Sequence, residues 1–138
     1  MYALKDCCCE IPTLPANLVA TKFDAFFVAG GQCPYLMLKD PSIRGLVDGC
    51  AVGAAVCHGP EALIGTKWLH PADGQVGSFV SYYGAWMSFR DLSAVYERKK
   101  PGETCESVTP SGRLFTGNAP NATKAMMEQA CQAILASR

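Results

Sequence analysis

Apolar positions in this chain gather into short unbroken runs rather than into strict alternation. The run FDAFFVAGG, residues 23–31, is rich in β-formers and closes on two glycines, and AVGAAVC, residues 51–57, is a second run of the same kind. Apolar runs of this length without alternation mark strands covered on both faces, the habit of parallel sheets. Between them, Pro41 in a first turn capped by Asp40, with Ile43, Leu46, Val47 and Cys50 at helical spacing, predicts a helix. PEALIG after the second strand predicts another helix, ending near Gly65.

Strand, helix, strand, helix in this order implies right-handed crossovers and a parallel sheet with helices on both faces. Farther on the pattern weakens. GQVGSFVSYYGAW (74–86) holds at most one further strand, while LSAVYE (92–97) and SVTPSGRLFTG (107–117) read as strands, the latter bent at Pro110 through Gly112. NATKAMMEQACQAIL (121–135) predicts a closing helix. Its cap is Asn118 or Asn121, and its apolar face is Ala122, Met126, Ala130, Ala133 and Ile134. The 138 residues make one α/β domain, with residues 1–13 as an irregular N-terminal segment and no internal repeat.

Charge adds mainly exclusions. Twelve basic side chains balance twelve acidic ones, so the electrostatic footprint of a nucleic-acid binder is missing. The basic run Arg98-Lys99-Lys100 sits beside Pro101-Gly102 and reads as a solvated loop. No apolar run reaches the roughly 18 residues a membrane span needs, and charges and prolines arrive too early for a signal peptide. A cytoplasmic protein without membrane contact is the expectation. Of the eight cysteines none forms a C-x-x-C pair, and two histidines are too few for a zinc site, so no metal is expected. Cys7, Cys8 and Cys9 form either a thiol-reactive patch or simply part of the irregular segment.

The chemistry concentrates at Cys57. A buried strand turning sharply into a helix leaves its turn residue at the carboxyl edge of the sheet, where open α/β folds place their sites. Ala55, Gly59 and Pro60 are the small neighbours that a strained nucleophile-bearing turn requires around Cys57. A following helix and the adjacent His58 would both favour the thiolate. Gly30 and Gly31 end the other strand on the same edge, where bare backbone brings N–H donors to a developing oxyanion. Each feature alone has a plainer reading, as a core cysteine, a turn or a structural histidine; their joint arrangement favours a catalytic thiol.

At these residues the chain resembles the ThiJ/PfpI family of the class I glutamine-amidotransferase-like fold. FDAFFVAGG, AAVCHGPEALI and RLFTGNAPNATKAMMEQACQAIL are similar in order and spacing to that family's strands and last helix, from about Leu14 to Ala136. AVCHGP and TGNAPNAT lean towards the branch that holds the glutathione-independent glyoxalases (glyoxalase III) and related heat-shock chaperones. The resemblance implies a flavodoxin-like αβα sandwich with a mainly parallel sheet, commonly a homodimer. It implies Cys57 as nucleophile with His58 beside it, and Gly30, Gly31 and His58 around the oxyanion hole. The activity it implies is conversion of a small aldehyde or dicarbonyl, such as methylglyoxal to lactate, without metal or organic cofactor.

One departure stands out. Family members open with a strand, a helix and a strand that this sequence lacks, a shortening at the N-terminal side. That part carries a carboxylate, usually Glu, which exchanges protons with the nucleophile, and Glu10 is a weak substitute. An uncovered sheet edge predicts dimerisation or poor solubility. Two other functions stay open: a non-catalytic thiol sensor or chaperone-like stress protein, and, ranked last, a cysteine peptidase. Tyr82, Tyr83 and Trp86 either line the pocket or pack in the core, with core packing the safer expectation.

Overall fold

The computed structural model describes residues 22–31, 34, 41–70, 78–92, 95–109 and 112–137. The irregular segment 1–13, the cysteines at 7–9, Glu10 and the Asp40 cap lie outside the described residues.

Four strands form the main sheet: β1 (Ala25–Val28), β2 (Val52–Val56), β5 (Thr104–Thr109) and β6 (Gly112–Gly117). Their order is β1-β2-β6-β5; β1 and β6 run parallel to β2, and β5 is antiparallel to β6. A small parallel pair, β3 (Ser78–Phe79) with β4 (Val95–Tyr96), forms a second sheet, its β3 lying against β5. Helix α1 (Pro41–Asp48) connects β1 to β2, and α2 (Thr123–Ala136) closes the fold.

The all-apolar character of β2 has a direct structural cause: all five of its residues are buried, because the strand is central and covered on both sides. On one face, Val52, Ala54 and Val56 pack with Phe115 against Met126, Ala130 and Ala133 of α2. On the other, Ala55 and Leu114 join Val28, Val47, Leu63, Trp68 and Phe79. Two cores separated by one sheet make this a flavodoxin-like α/β sandwich.

Two expectations change. PEALIG forms a 3₁₀ helix of five residues, Gly59–Leu63, instead of an α-helix. Pro60 denies an amide to the helix, and Ile64 is already extended (ψ 127°) before Gly65 turns at φ 81°. Segment 107–117 is not one bent strand but parts of two, β5 and β6, paired as a hairpin from Thr109↔Gly112 outward. In 74–86, of which residues 78–86 are described, the further strand is Ser78–Phe79, and Tyr83–Phe89 is a 3₁₀ helix.

The C-terminal helix keeps its predicted face, with Ala122, Met126, Ala130 and Ala133 buried. Neither asparagine caps it by side chain. Asn118 ties down the preceding loop instead, donating to the carbonyls of Lys99 and Lys100 and accepting from the Gly102 amide. Among the described residues no helix is long and apolar enough to cross a membrane.

Candidate active site

Cys57 follows the last residue of β2, so it stands at the carboxyl edge of the parallel strands. Its φ is 59°, and it is the one non-glycine residue with positive φ among those described. A side chain in the left-handed region is held there against a cost of roughly 1–2 kcal/mol. Three backbone hydrogen bonds hold it. Its amide donates to the Gly117 carbonyl (2.7 Å), while its own carbonyl accepts from the Tyr82 amide (2.9 Å) and the Ser81 hydroxyl (2.7 Å). The residue is half-buried, packed beside the α2 core but not enclosed by it.

The glycines around it are contact sites. A Cβ on Gly30 would stand 2.7 Å from the Cys57 Cβ and 3.4 Å from its Sγ; a Cβ on Gly59 would meet the Val28 carbonyl oxygen at 2.5 Å. The end of β1 and the turn after β2 thus approach each other at distances only glycine permits, with Gly30 against Cys57. Gly31 turns away at φ 82° into open space. Of the predicted site residues, Gly30 is thus brought against Cys57, with His58 next in the chain, while no contact brings Gly31 to them. The predicted helix behind them is a single 3₁₀ turn, which supplies no macrodipole of α-helical size, and the Cys57 amide is already engaged.

Sequence reasoning missed Glu61. It is fully buried, and its Oε2 lies 2.6 Å from Nδ1 of His58 while its Oε1 accepts from the Ser88 hydroxyl at 2.7 Å. The 3₁₀ turn creates the pair, since residues three apart eclipse in that helix, and 58 and 61 are three apart. An i, i+3 His-Glu spacing directly after the cysteine was the available signal. A carboxylate on Nδ1 orients the ring and leaves Nε2 as its basic nitrogen.

The ring of His58 lies 4.7 Å from that of Tyr82, which lies 4.5 Å from Tyr83. The hydrogen bond and charge of neighbouring Tyr83 hold the Tyr82 phenol above its usual range, with burial and the Cys57 charge adding to it. Tyr82, Tyr83, Lys99, Pro101, Asn118 and Ala119 enclose a cavity of about 170 Å³. Its wall is tied to the Cys57 backbone: the Tyr82 amide donates to the Cys57 carbonyl, and Asn118 follows Gly117, whose carbonyl accepts from the Cys57 amide. The core-packing expectation fails for two of the three aromatics: Tyr83 is 72% exposed and Trp86 44%. His70 falls in the turn after Gly65, its amide bonded to the Thr66 carbonyl.

No family model matches the chain, and no curated protein matches it. Among solved structures it is similar to a crystal structure known as APC35852, at 18% identity and a TM-score of 0.65. The match covers 87% of this chain and 63% of that one, so the chain spans under two thirds of that structure's length. At such identity the likeness speaks for the fold alone.

The other cysteines differ in kind. Cys50 and Cys105 are buried, and burial pushes both thiols up; at Cys105 a hydrogen bond with Ser78 works the other way. Cys131 is exposed on α2. Of these four described thiols, Cys57 alone is both held at the sheet edge and flanked by a His-carboxylate pair.

Proposed function

We propose that the chain is a cysteine enzyme of the ThiJ/PfpI type acting on small reactive carbonyls, working in the cytoplasm as a homodimer and needing no cofactor. The observation that carries this reading is Cys57 itself, held at φ 59° against Gly30 with the His58–Glu61 pair adjoining it. A strained thiol beside an oriented imidazole is the arrangement that nucleophilic catalysis needs.

On methylglyoxal the steps balance without an external oxidant. The Cys57 thiolate attacks the aldehyde carbon, and the resulting oxyanion, which backbone amides at the sheet edge would stabilise, takes a proton to give a hemithioacetal. His58, steadied by buried Glu61, removes the C1 proton, forming an enediol, and a proton returned to C2 leaves a thioester. Water cleaves the thioester and releases lactate and free thiol. The net change is addition of one water. Glu61 acts on the imidazole and not on the sulfur: its bond to Nδ1 keeps the His58 ring in place for proton transfer.

Lactate formation from methylglyoxal, followed for wild type and Cys57→Ser, is the test. The expected outcome is turnover lost in Cys57→Ser with thermal unfolding unchanged. Equal inactivity of both folded proteins refutes the enzyme. If Cys57 then oxidises readily to the sulfenic or sulfinic acid, the thiol-sensor reading takes its place.

A further inference from the structure

Resting on the carbonyl-enzyme reading, we propose that the Cys57 site continues into an aromatic and cationic trough that selects carbonyl compounds carrying a planar anionic tail. The trough begins where the small cavity ends. Tyr83 and Lys99 line that cavity and also a second one of about 290 Å³, completed by Trp86, Tyr96 and Arg98. Ring contacts connect it to the chemistry: His58 touches Tyr82, and Tyr82 touches Tyr83. Three residues apart on a 3₁₀ helix, Tyr83 and Trp86 share a face.

Large aromatic rings left in water beside a cavity are an unusual use of surface, and flat apolar walls suit a flat ligand. Charge sets the other half of the preference. Lys99 spends N–H donors on Glu97 Oε2 and the Thr104 carbonyl, both at 3.1 Å, and Glu103 accepts from the Lys100 amide. Arg98 makes no ion pair among the described residues and holds its guanidinium 5.8 Å from the Trp86 ring centroid. A guanidinium resting on an aromatic face keeps its fork of N–H donors for a carboxylate or phosphate. A ligand with its aldehyde at Cys57 and its anion at Arg98 would stack along Tyr82 and Tyr83.

The probes are 4-carboxybenzaldehyde, its neutral methyl ester, and monomethyl terephthalate, which keeps the carboxylate but lacks the aldehyde. Binding is read by quenching of tryptophan fluorescence, with Trp86→Phe identifying the reporting ring. The acid aldehyde should bind about fivefold more tightly than its ester, the scale of one exposed charge pair. Arg98→Gln and high salt should erase the preference, and Arg98→Lys should retain part of it. Monomethyl terephthalate should bind wild type and Cys57→Ser alike. If methylglyoxal is turned over while acid and ester bind equally, the trough is overturned and the enzyme stands. If monomethyl terephthalate binds in an Arg98-dependent way while no aldehyde is captured by Cys57, the trough stands and the enzyme falls. Trp86 shielded from the probes by self-association would overturn the trough in favour of a contact between copies.

Discussion

At φ 59°, Cys57 occupies a backbone conformation that glycine adopts freely and a residue with a Cβ does not. This gives a stability signature separate from activity. Cys57→Gly should be more stable than Cys57→Ala by about 1 kcal/mol, the reverse of the usual order, when urea midpoints are compared. Equal midpoints would mean that the turn relaxes without strain. Gly30→Ala is the complementary test: the added methyl meets the Cys57 Cβ at 2.7 Å. The overlap should destabilise the fold by roughly 1–3 kcal/mol and abolish turnover, because either the thiol or the β1 end must move. Cys57 and its small neighbours were legible in the sequence because each needs only local steric reasoning. Glu61 was not, since its pairing depends on whether PEALIG coils as an α- or a 3₁₀ helix. Apolar spacing over six residues does not distinguish the two.

Among the elements, that 3₁₀ turn carries the greatest functional weight. Glu61→Gln keeps the volume and the Ser88 contact but removes the carboxylate facing Nδ1 of His58. A positioning role predicts a fall in kcat of at least about tenfold, with a smaller change in KM and an altered pH–rate profile. A fall in stability alone, with kcat preserved in the folded fraction, would reduce Glu61 to a structural part. Strand β2 was readable because burial on both faces dominates its sequence, and α2 through its helical periodicity. Strand β1 was placed correctly as a parallel strand, but at the end of the described sheet it is only partly buried instead of covered on both faces. The β5–β6 hairpin was misread because Val108 and Thr109 continue an apolar and β-branched pattern up to Pro110, so the chain reversal looks like a bend. Tyr83 and Trp86 defeated the expectation for a similar reason: aromatic residues ordinarily reach the core, and nothing local says that this helix keeps them in water.

For the molecule as a whole, the sheet ends on β1 and β5 among the described residues, and Phe27 on β1 is 46% exposed. An apolar edge of that kind favours self-association, and size-exclusion chromatography should show a dimer; a monomer at all concentrations would count against it. The pH dependence of stability follows from the Glu97–Lys99 pair, whose lysine lines the trough. Hydrogen bonds from Ser78 and then Lys99 hold the Glu97 carboxyl below its usual 4.5. A depressed folded value means this contribution is complete above about pH 4.5 and is lost as pH falls through the lower folded value. The hydrogen bond to Glu97 likewise raises Lys99 above its usual 10.5, so that contribution holds below about pH 10.5 and disappears as pH rises past the folded value. Urea midpoints from pH 7 down to pH 3 should therefore fall more steeply for wild type than for Glu97→Gln, and parallel curves would contradict the assignment.

The chemical claim itself comes down to which thiol reacts first. Limited alkylation with iodoacetamide at neutral pH, read peptide by peptide by mass spectrometry, compares Cys57 with exposed Cys131 and with buried Cys50 and Cys105 in one sample. A nucleophile presented by the turn should be labelled well before Cys131, with Cys50 and Cys105 last. Labelling of Cys57 no faster than that of Cys131 would contradict the account.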